Sequence, residues 1–365
     1  MNKDIKLPGL GSYMATAIEK GDNQAVVWAV VALLVLILAS DQLIWRPLLV
    51  WADKFKIELT ESGLMPTSWV YNLLRGSYVF TWLTLHFWEP LEDGLGRILR
   101  RRQPPAKRLR PEAVGWPVRV AGWGLAAWLG YEAILGVVAA VSALNGALSW
   151  SSFGHILWLG FLTLLRVLAM TIVATLIWTP IGVWIGFHPK VARYAQPLAQ
   201  IGASFPVNMT FPIMVGFFVA THTSMNWGSI LLIAMGTQWY ILFNVIAGAM
   251  AIPNEMKEVA QIYGLRQWKL WRTLILPAIF PFWVTGACTA AGGAWNASIV
   301  AELATWGDTT LKADGLGAYI AEVTKSGDTA LIIASIGVMS IFVVAMNKLV
   351  WRRLYGFAER RFRLD

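Results

Sequence analysis

The chain alternates long apolar stretches with short polar connections, many of them basic. The first apolar stretch runs from Ala25 to Ile44. Others cover Ala121–Leu144, Ile156–Phe187, Phe205–Ala220, Gly228–Met250, Ala278–Val300 and Thr329–Val350. A helix crosses the hydrocarbon core of a bilayer with about 20 apolar residues, so each stretch predicts a transmembrane helix. Ser68–Trp88 is interrupted by Asn72, Arg75 and His86 and reads most simply as an interfacial helix. The expected fold class is an all-α polytopic membrane protein with about seven transmembrane helices, within a range of six to eight.

Composition supports this. Apolar residues make up 57% of the 365 and charged residues only 14%, with a mean hydropathy of +0.55, against about 45–50% and about 25% in soluble domains. The net charge of +9 sits in three places: the linker Arg97–Arg110, the segment Lys257–Arg272 and the tail Lys348–Arg363. Basic residues mark cytoplasmic connections, so the charge is assigned to the inner face rather than to nucleic acid. Glu302–Asp328 instead carries Glu302, Asp308, Asp314, Glu322 and Asp328 against Lys312 and Lys325, which places it outside and the C-terminus inside. For Arg97–Arg110, a topology signal is favoured over binding of anionic lipid or of a partner. Residues 1–24 are polar and show no secretory signal. One cysteine, Cys288, excludes an internal disulfide.

The two ends of the chain resemble each other at an offset of 306 residues. GLGSYMA at Gly9–Ala15 matches GLGAYIA at Gly315–Ala321, Gly21-Asp22 matches Gly327-Asp328, and Leu43–Leu48 matches Leu349–Leu354. Of the 46 ungapped pairs between Gly9–Lys54 and Gly315–Arg360, 13 are identical. The repeated unit is an outer loop, a helix and a basic inner elbow. Four regions follow: 1–60, the tail of a preceding repeat, with its N-terminus outside; 61–118, a cytoplasmic or interfacial linker; 119–350, the core; and 351–365, a basic cytoplasmic tail.

The most informative polar segment is EVAQIYGLRQWKLWRTLILP, Glu258–Pro277. A short amphipathic helix over Asn254–Tyr263, opened by Pro253 with Glu255 in its first turn, is expected to stop at Gly264. Arg266–Arg272 then lies on the membrane surface until Pro277 starts the next span. Glu258, Ala260, Gly264, Leu276 and Pro277 fall at the spacing of the EAA loop, and the segment resembles that loop in permease subunits of binding-protein-dependent ABC importers. Val259 and Leu274 depart from the pattern but stay apolar. Thr163–Gly186, the series Pro197, Pro206 and Pro212, and Gly292–Glu302 are similar to the nitrate, sulfonate, taurine and bicarbonate group of these permeases. Some members fuse two permease halves, and this chain looks like a second half preceded by the remnant of a first.

The resemblance implies an ABC importer permease fold with a cytoplasmic coupling helix, in a bacterial inner membrane. It implies an ATPase-coupling role for Glu255, Glu258, Ala260, Gly264, Leu265, Arg266, Leu276 and Pro277, within 253–277. It also implies three partners in the bilayer system: an ABC ATPase dimer, a second permease subunit (a first-half-like chain or a second copy) and a periplasmic substrate-binding protein. ATP and Mg are expected on the ATPase, because no G-x-x-x-x-G-K-[ST] phosphate loop occurs here. The four histidines, at 86, 155, 188 and 222, show no metal-ligand spacing, so no enzymatic site and no cofactor are expected. An ATP-independent transporter or channel, or a scaffold subunit, are the alternatives.

Candidates for the translocation path are the polar residues within spans: Arg166, Gln238, Asn244, Trp295, Asn296 and Ser298. Arg166 either lowers the barrier for an anion or is satisfied by snorkelling or by an acid or carbonyl. Gln238 and Asn244 point to different helix faces, so at most one of them lines a path. Packing between helices is the other reading of Trp295, Asn296 and Ser298, and the favoured one for Gly182 and Gly186.

Overall fold

A computed structural model describes residues 8–53, 69–76, 116–144 and 149–362. These fall into two compact units. The smaller holds a π-helical turn (Asp41–Trp45) and helices α3 (Arg46–Asp53), α4 (Trp69–Gly76) and α5 (Trp116–Leu144). Asp41 pairs with Arg46 at 3.0 Å, and the Trp69 indole donates to Gln42 at 3.3 Å. The expected interfacial stretch is helical over Trp69–Gly76, while its remainder and the linker 97–110 lie outside the described residues.

The larger unit holds α1 (Leu10–Lys20), most of α2 (Asn23–Ser40) and everything from α6 onward. Helix α6 (Trp150–Gly186) starts at Ser149, whose hydroxyl accepts from the Ser152 amide, and its 37 residues rise about 55 Å. Then come α7 (Pro189–Ser204), a 3₁₀ turn (Val207–Thr210), α8 (Phe211–Ala220), α9 (Met225–Thr237) and α10 (Trp239–Met250). After a loop helix, α11 (Asn254–Ile262), come α12 (Gln267–Leu270), a π-helical turn (Trp271–Ile275) and α13 (Leu276–Ala301). A hairpin follows, β1 (Leu303–Trp306) antiparallel to β2 (Thr309–Lys312), in register Leu303↔Lys312. The chain closes with α14 (Leu316–Ser326), α15 (Thr329–Met346), a π-helical turn (Asn347–Trp351) and α16 (Arg352–Arg361).

Four helices among the described residues are long and apolar enough to cross a membrane: Asn23–Leu48, Trp150–Gly186, Gln267–Ala301 and Thr329–Arg361. Two bent pairs raise this to six. The first pair corrects the expected straight span over Phe205–Ala220. There α7 meets the 3₁₀ turn and α8 at 86°, and the ten residues of α8 rise about 15 Å, half the hydrocarbon thickness. Pro206 removes a donor and holds the preceding Phe205 extended (φ −79°, ψ 120°), which forces the corner, while Pro212 sits in the first turn of α8, where its missing amide has no partner to lose. The second pair, α9 and α10, bends by 47° at Gln238.

The core lies where α6, α10 and α13 meet, and small residues set their separation. A Cβ on Gly182 would come within 2.9 Å of Val245, and one on Gly186 within 2.6 Å of Ala249. Gly248 lies as close under Phe282, and Gly286 under the Tyr240 carbonyl. Small residues of this kind let membrane helices approach closely without help from water.

The repeat is visible residue by residue. Helices α1 and α14 both have 11 residues, and both end at a glycine in the left-handed region, Gly21 (φ 64°) and Gly327 (φ 74°). Asp22 then caps the Ala25 amide at 3.0 Å, as Asp328 caps Leu331 at 3.1 Å. Helices α2 and α15 have 18 residues each, and the π-helical turns after them start at Asp41 and Asn347.

Candidate functional site

Between α10 and α13 the chain leaves the packed core and returns to it. Ile252 and Ile275 are buried at its two ends, and of α11 only Ala260 is buried. Pro253 caps α11, Glu255 sits in its first turn, and Glu258 is exposed. The helix ends in a Schellman turn. The Leu265 amide reaches the Ala260 carbonyl at 2.9 Å, and the Gly264 amide reaches Gln261 at 2.9 Å, with Gly264 at φ 66°. The expected glycine stop is therefore a specific backbone motif. The outer side of the loop is unusually apolar: Met256, Val259, Ile262 (82% exposed) and Tyr263 (79%) all face out. Lys257 fastens α11 to the end of α6, with its ammonium 5.0 Å from the Phe187 ring centroid. Partial burial pulls the Lys257 pKa down.

Past Gly264 the structure differs from the sequence-based expectation. Arg266–Arg272 is not a separate surface segment, because Gln267–Ala301 is one helix of 35 residues. Pro277 offers no amide and its ring crowds the preceding turn. The π-helical turn Trp271–Ile275 absorbs this just before it, so the helix begins ten residues before the proline.

A second cluster joins four elements at the far end of α13. Glu302, fully buried, accepts from Arg166 Nη1 at 3.0 Å and Thr163 Oγ1 at 2.9 Å on one oxygen. The other oxygen accepts from the Gly317 and Ala318 amides at 2.8 and 3.2 Å. The carboxylate thus closes the first turn of α14, where helix dipole and free amides favour a negative charge. Arg166 (6% exposed) also donates from Nη2 to Asn226 Oδ1 at 2.8 Å and from Nε to the Asn226 carbonyl at 3.2 Å. Asn226 in turn holds the Asp314 amide and carboxylate at 2.8 and 3.0 Å. Glu302 is therefore an interior group, not a surface charge of the acidic loop. Arg166, on α6, meets an acid 136 residues away, and its charge is compensated within the fold.

The other path candidates separate. Trp295 is buried against Phe342, with ring centroids 6.2 Å apart, and the buried Ser298 hydroxyl donates to the Trp295 carbonyl at 2.8 Å. Gln238 sits at the α9–α10 bend, accepts from the Trp178 indole at 2.8 Å and lines a cavity of about 210 Å³ with Trp239 and Phe205. Asn244 donates to the Tyr240 carbonyl at 2.8 Å. Asn296 is exposed, and it has company that was missed. Thr285, Thr289, Gly292 and Asn296 are all exposed on α13, at spacings of 4, 3 and 4 that put them on one helix face. Tyr240 and Asn244 flank them from α10, across the contacts at Gly286 and Gly293. A helical-wheel reading of VTGACTAAGGAWNAS was enough to reveal this stripe.

A family model described as "binding-protein-dependent transport system inner membrane component" matches residues 178–364. Over 199 residues the chain is 26% identical to the nitrate import permease protein NrtB of Leptolyngbya laminosa, covering 54% of this chain and 66% of that protein. It is 25% identical over 185 residues to the taurine transport system permease protein TauC of Escherichia coli, covering 51% and 64%. It is 24% identical over 204 residues to the bicarbonate transport system permease protein CmpB of Synechococcus elongatus, covering 54% and 70%. The first two of these are matched over slightly less than two thirds of their own length.

Proposed function

The chain belongs to the family of binding-protein-dependent transport system inner membrane components, and from that premise we propose that it is the permease subunit of an ATP-driven importer for a small anion. The observation that carries this is the α11–Gly264 loop. A short helix with an apolar outer side, tied to α6 through Lys257 and continuous with a 35-residue span through Leu265 and Arg266, has the shape of a coupling element. A groove in an ATPase dimer would receive Met256, Val259, Ile262 and Tyr263, with Glu255, Glu258 and Arg266 at the rim. Movement of that dimer would then pass through Leu276 and Pro277 into α13 as a rigid body. ATP and Mg belong to the ATPase, and this chain performs no chemistry of its own.

The path is assigned to the polar stripe of α13, Thr285, Thr289, Gly292 and Asn296, with Tyr240 and Asn244 beside it. The exposed Asn296 amide is costly against lipid and natural against water and a passing solute, whereas the Thr285 and Thr289 hydroxyls donate to the Pro281 and Thr285 carbonyls at 3.1 and 2.9 Å and add polar surface beside it. A second permease half would supply the opposite wall. Arg166, Trp295 and Ser298 brace the wall from behind, and Gln238 sits at the bend where α9 and α10 hinge. The substrate class is a small oxyanion of the kind named for the relatives, delivered to the outer face by a periplasmic binding protein. The protein would sit in the inner membrane with its C-terminus inside.

The test is ATP-driven uptake into proteoliposomes holding the chain, its permease partner and its ATPase, with binding protein outside. Uptake of nitrate, bicarbonate or taurine that needs ATP supports the reading. Uptake of equal rate without ATPase or ATP sinks it in favour of a secondary transporter or channel.

A further inference from the structure

Gly9–Ser12 and Gly315–Ala318 share a pattern and a helical start but not a surrounding. In α14 the first turn is buried, and its amides hold Glu302 and, through Leu316 at 2.9 Å, Thr163. Glycine is required there. A Cβ on Gly315 would overlap the Glu302 carboxylate, and one on Gly317 would overlap the Ser298 carbonyl. At Gly9, the N-cap of α1, and at Gly11 in its first turn, no described atom lies within 4 Å of such a Cβ, and both are exposed. Glycine within a helix costs roughly 0.5–1 kcal/mol relative to alanine, and the described residues make no use of the space it leaves.

The following helix shows the same contrast. On α15, Val338 and Phe342 close over Gly160 of α6, with the buried Ala334 one turn earlier. Their counterparts on α2 are Trp28, Ala32 and Leu36. All three are exposed, Trp28 at 62% and Leu36 at 55%. Lipid would suffice to cover that apolar face, and the N-cap position accounts for Gly9, but neither gives a reason for Gly11 inside the helix. The internal copy gives one, since the same turn, in the same chain, is seen holding a carboxylate.

We propose that α1 and α2 close a second permease half. The first turn of α1 receives the carboxylate that ends that half's counterpart of α13, and Trp28, Ala32 and Leu36 cover its counterpart of α6. This rests on the permease reading and adds the chemistry of the contact: a span-end glutamate or aspartate, and a long span with a small residue beneath Leu36. A second copy of this chain does not fit, because its Glu302 and Gly160 are already covered by its own α14 and α15.

The experiment places p-benzoylphenylalanine at Trp28 in the full chain in its native membrane, and identifies the photo-adduct by peptide mass spectrometry. The expected adduct lies on a span of a second permease half, at a position aligned with the neighbourhood of Gly160. Gly11→Asp, which puts a negative charge in the receptor, is expected to lower adduct yield at least tenfold. Aspartate is favoured in a first helical turn, so this variant keeps α1 folded. Tyr13→Phe, on an exposed side, serves as the neutral control and should stay within twofold. Adducts confined to lipid, or to residues 149–362 of this sequence, overturn the proposal, as does a Gly11→Asp yield within twofold of wild type. ATP-driven uptake is scored separately: an adduct without uptake defeats the importer reading alone, and uptake without the adduct defeats this one alone.

Discussion

Removing either side of the Arg166–Glu302 pair should not be equivalent, because the two groups hold different numbers of partners. Glu302→Ala leaves Arg166 with Asn226 only, and strips the acceptor from the Thr163 hydroxyl and from the Gly317 and Ala318 amides. Breaking a buried ion pair from one side costs about 3–5 kcal/mol, and each buried donor left unsatisfied adds roughly 1–3 kcal/mol before relaxation. Arg166→Met instead leaves the carboxylate with three donors in place, and protonation can relieve its charge. Glu302→Ala should therefore lie at or above the top of that 3–5 range and Arg166→Met near its foot. A gap of about 2 kcal/mol is roughly 30-fold in the folding equilibrium. Unfolding of the purified chain in mixed detergent micelles with rising dodecyl sulfate, followed by tryptophan fluorescence, reads it directly. The swap Arg166→Glu with Glu302→Arg should not restore stability, since a guanidinium has no acceptor for the α14 amides. Equal losses for the two single variants, or rescue by the swap, would refute the view that the carboxylate organises this end of the bundle.

Three further outcomes are expected. Gly264→Val forces a β-branched residue into the left-handed region, at about 1–2 kcal/mol; ATP-driven uptake should fall severalfold while membrane expression holds, and unchanged uptake would remove the loop from coupling. Gly317→Ala should destabilise the purified chain, because its methyl meets the Ser298 carbonyl, whereas Gly11→Ala should be neutral or stabilising by up to about 1 kcal/mol; detergent melting curves compare the two. Asn296→Leu, on an exposed face, should leave stability within about 0.5 kcal/mol yet slow uptake, and a variant that transports at the wild-type rate would clear Asn296 of a place in the path.

The loop and the buried cluster sit at opposite ends of one helix. Gln267 opens it just after the Schellman turn and Ala301 ends it one residue before Glu302. In the proposed importer, a stroke received at α11 would be felt along the polar stripe and resisted where Glu302 pins α13 to α6 and α14. In that reading, rigidity at that end would allow α13 to tilt without unravelling the cluster around Glu302.

The amino-acid order by itself determined the membrane-protein class, most of the apolar helices, the glycine stop at Gly264 and the repeat at 306 residues. Each of these rests on local rules: hydropathy over one helix length, the steric freedom of one residue, identity at a fixed offset. The corner at Pro206 was also written locally, but the expectation of a straight Phe205–Ala220 span passed over it. Tertiary structure alone decided what Arg166 is for. Its acid lies 136 residues away, and no periodicity links a charge in the middle of α6 to a glutamate after α13. The fate of the near-identical turns at Gly9 and Gly315 was likewise invisible in sequence. One surrounds a carboxylate, and at the other no described atom comes within 4 Å of a Cβ on either glycine, because the same local pattern fixes a helix start but not what packs against it.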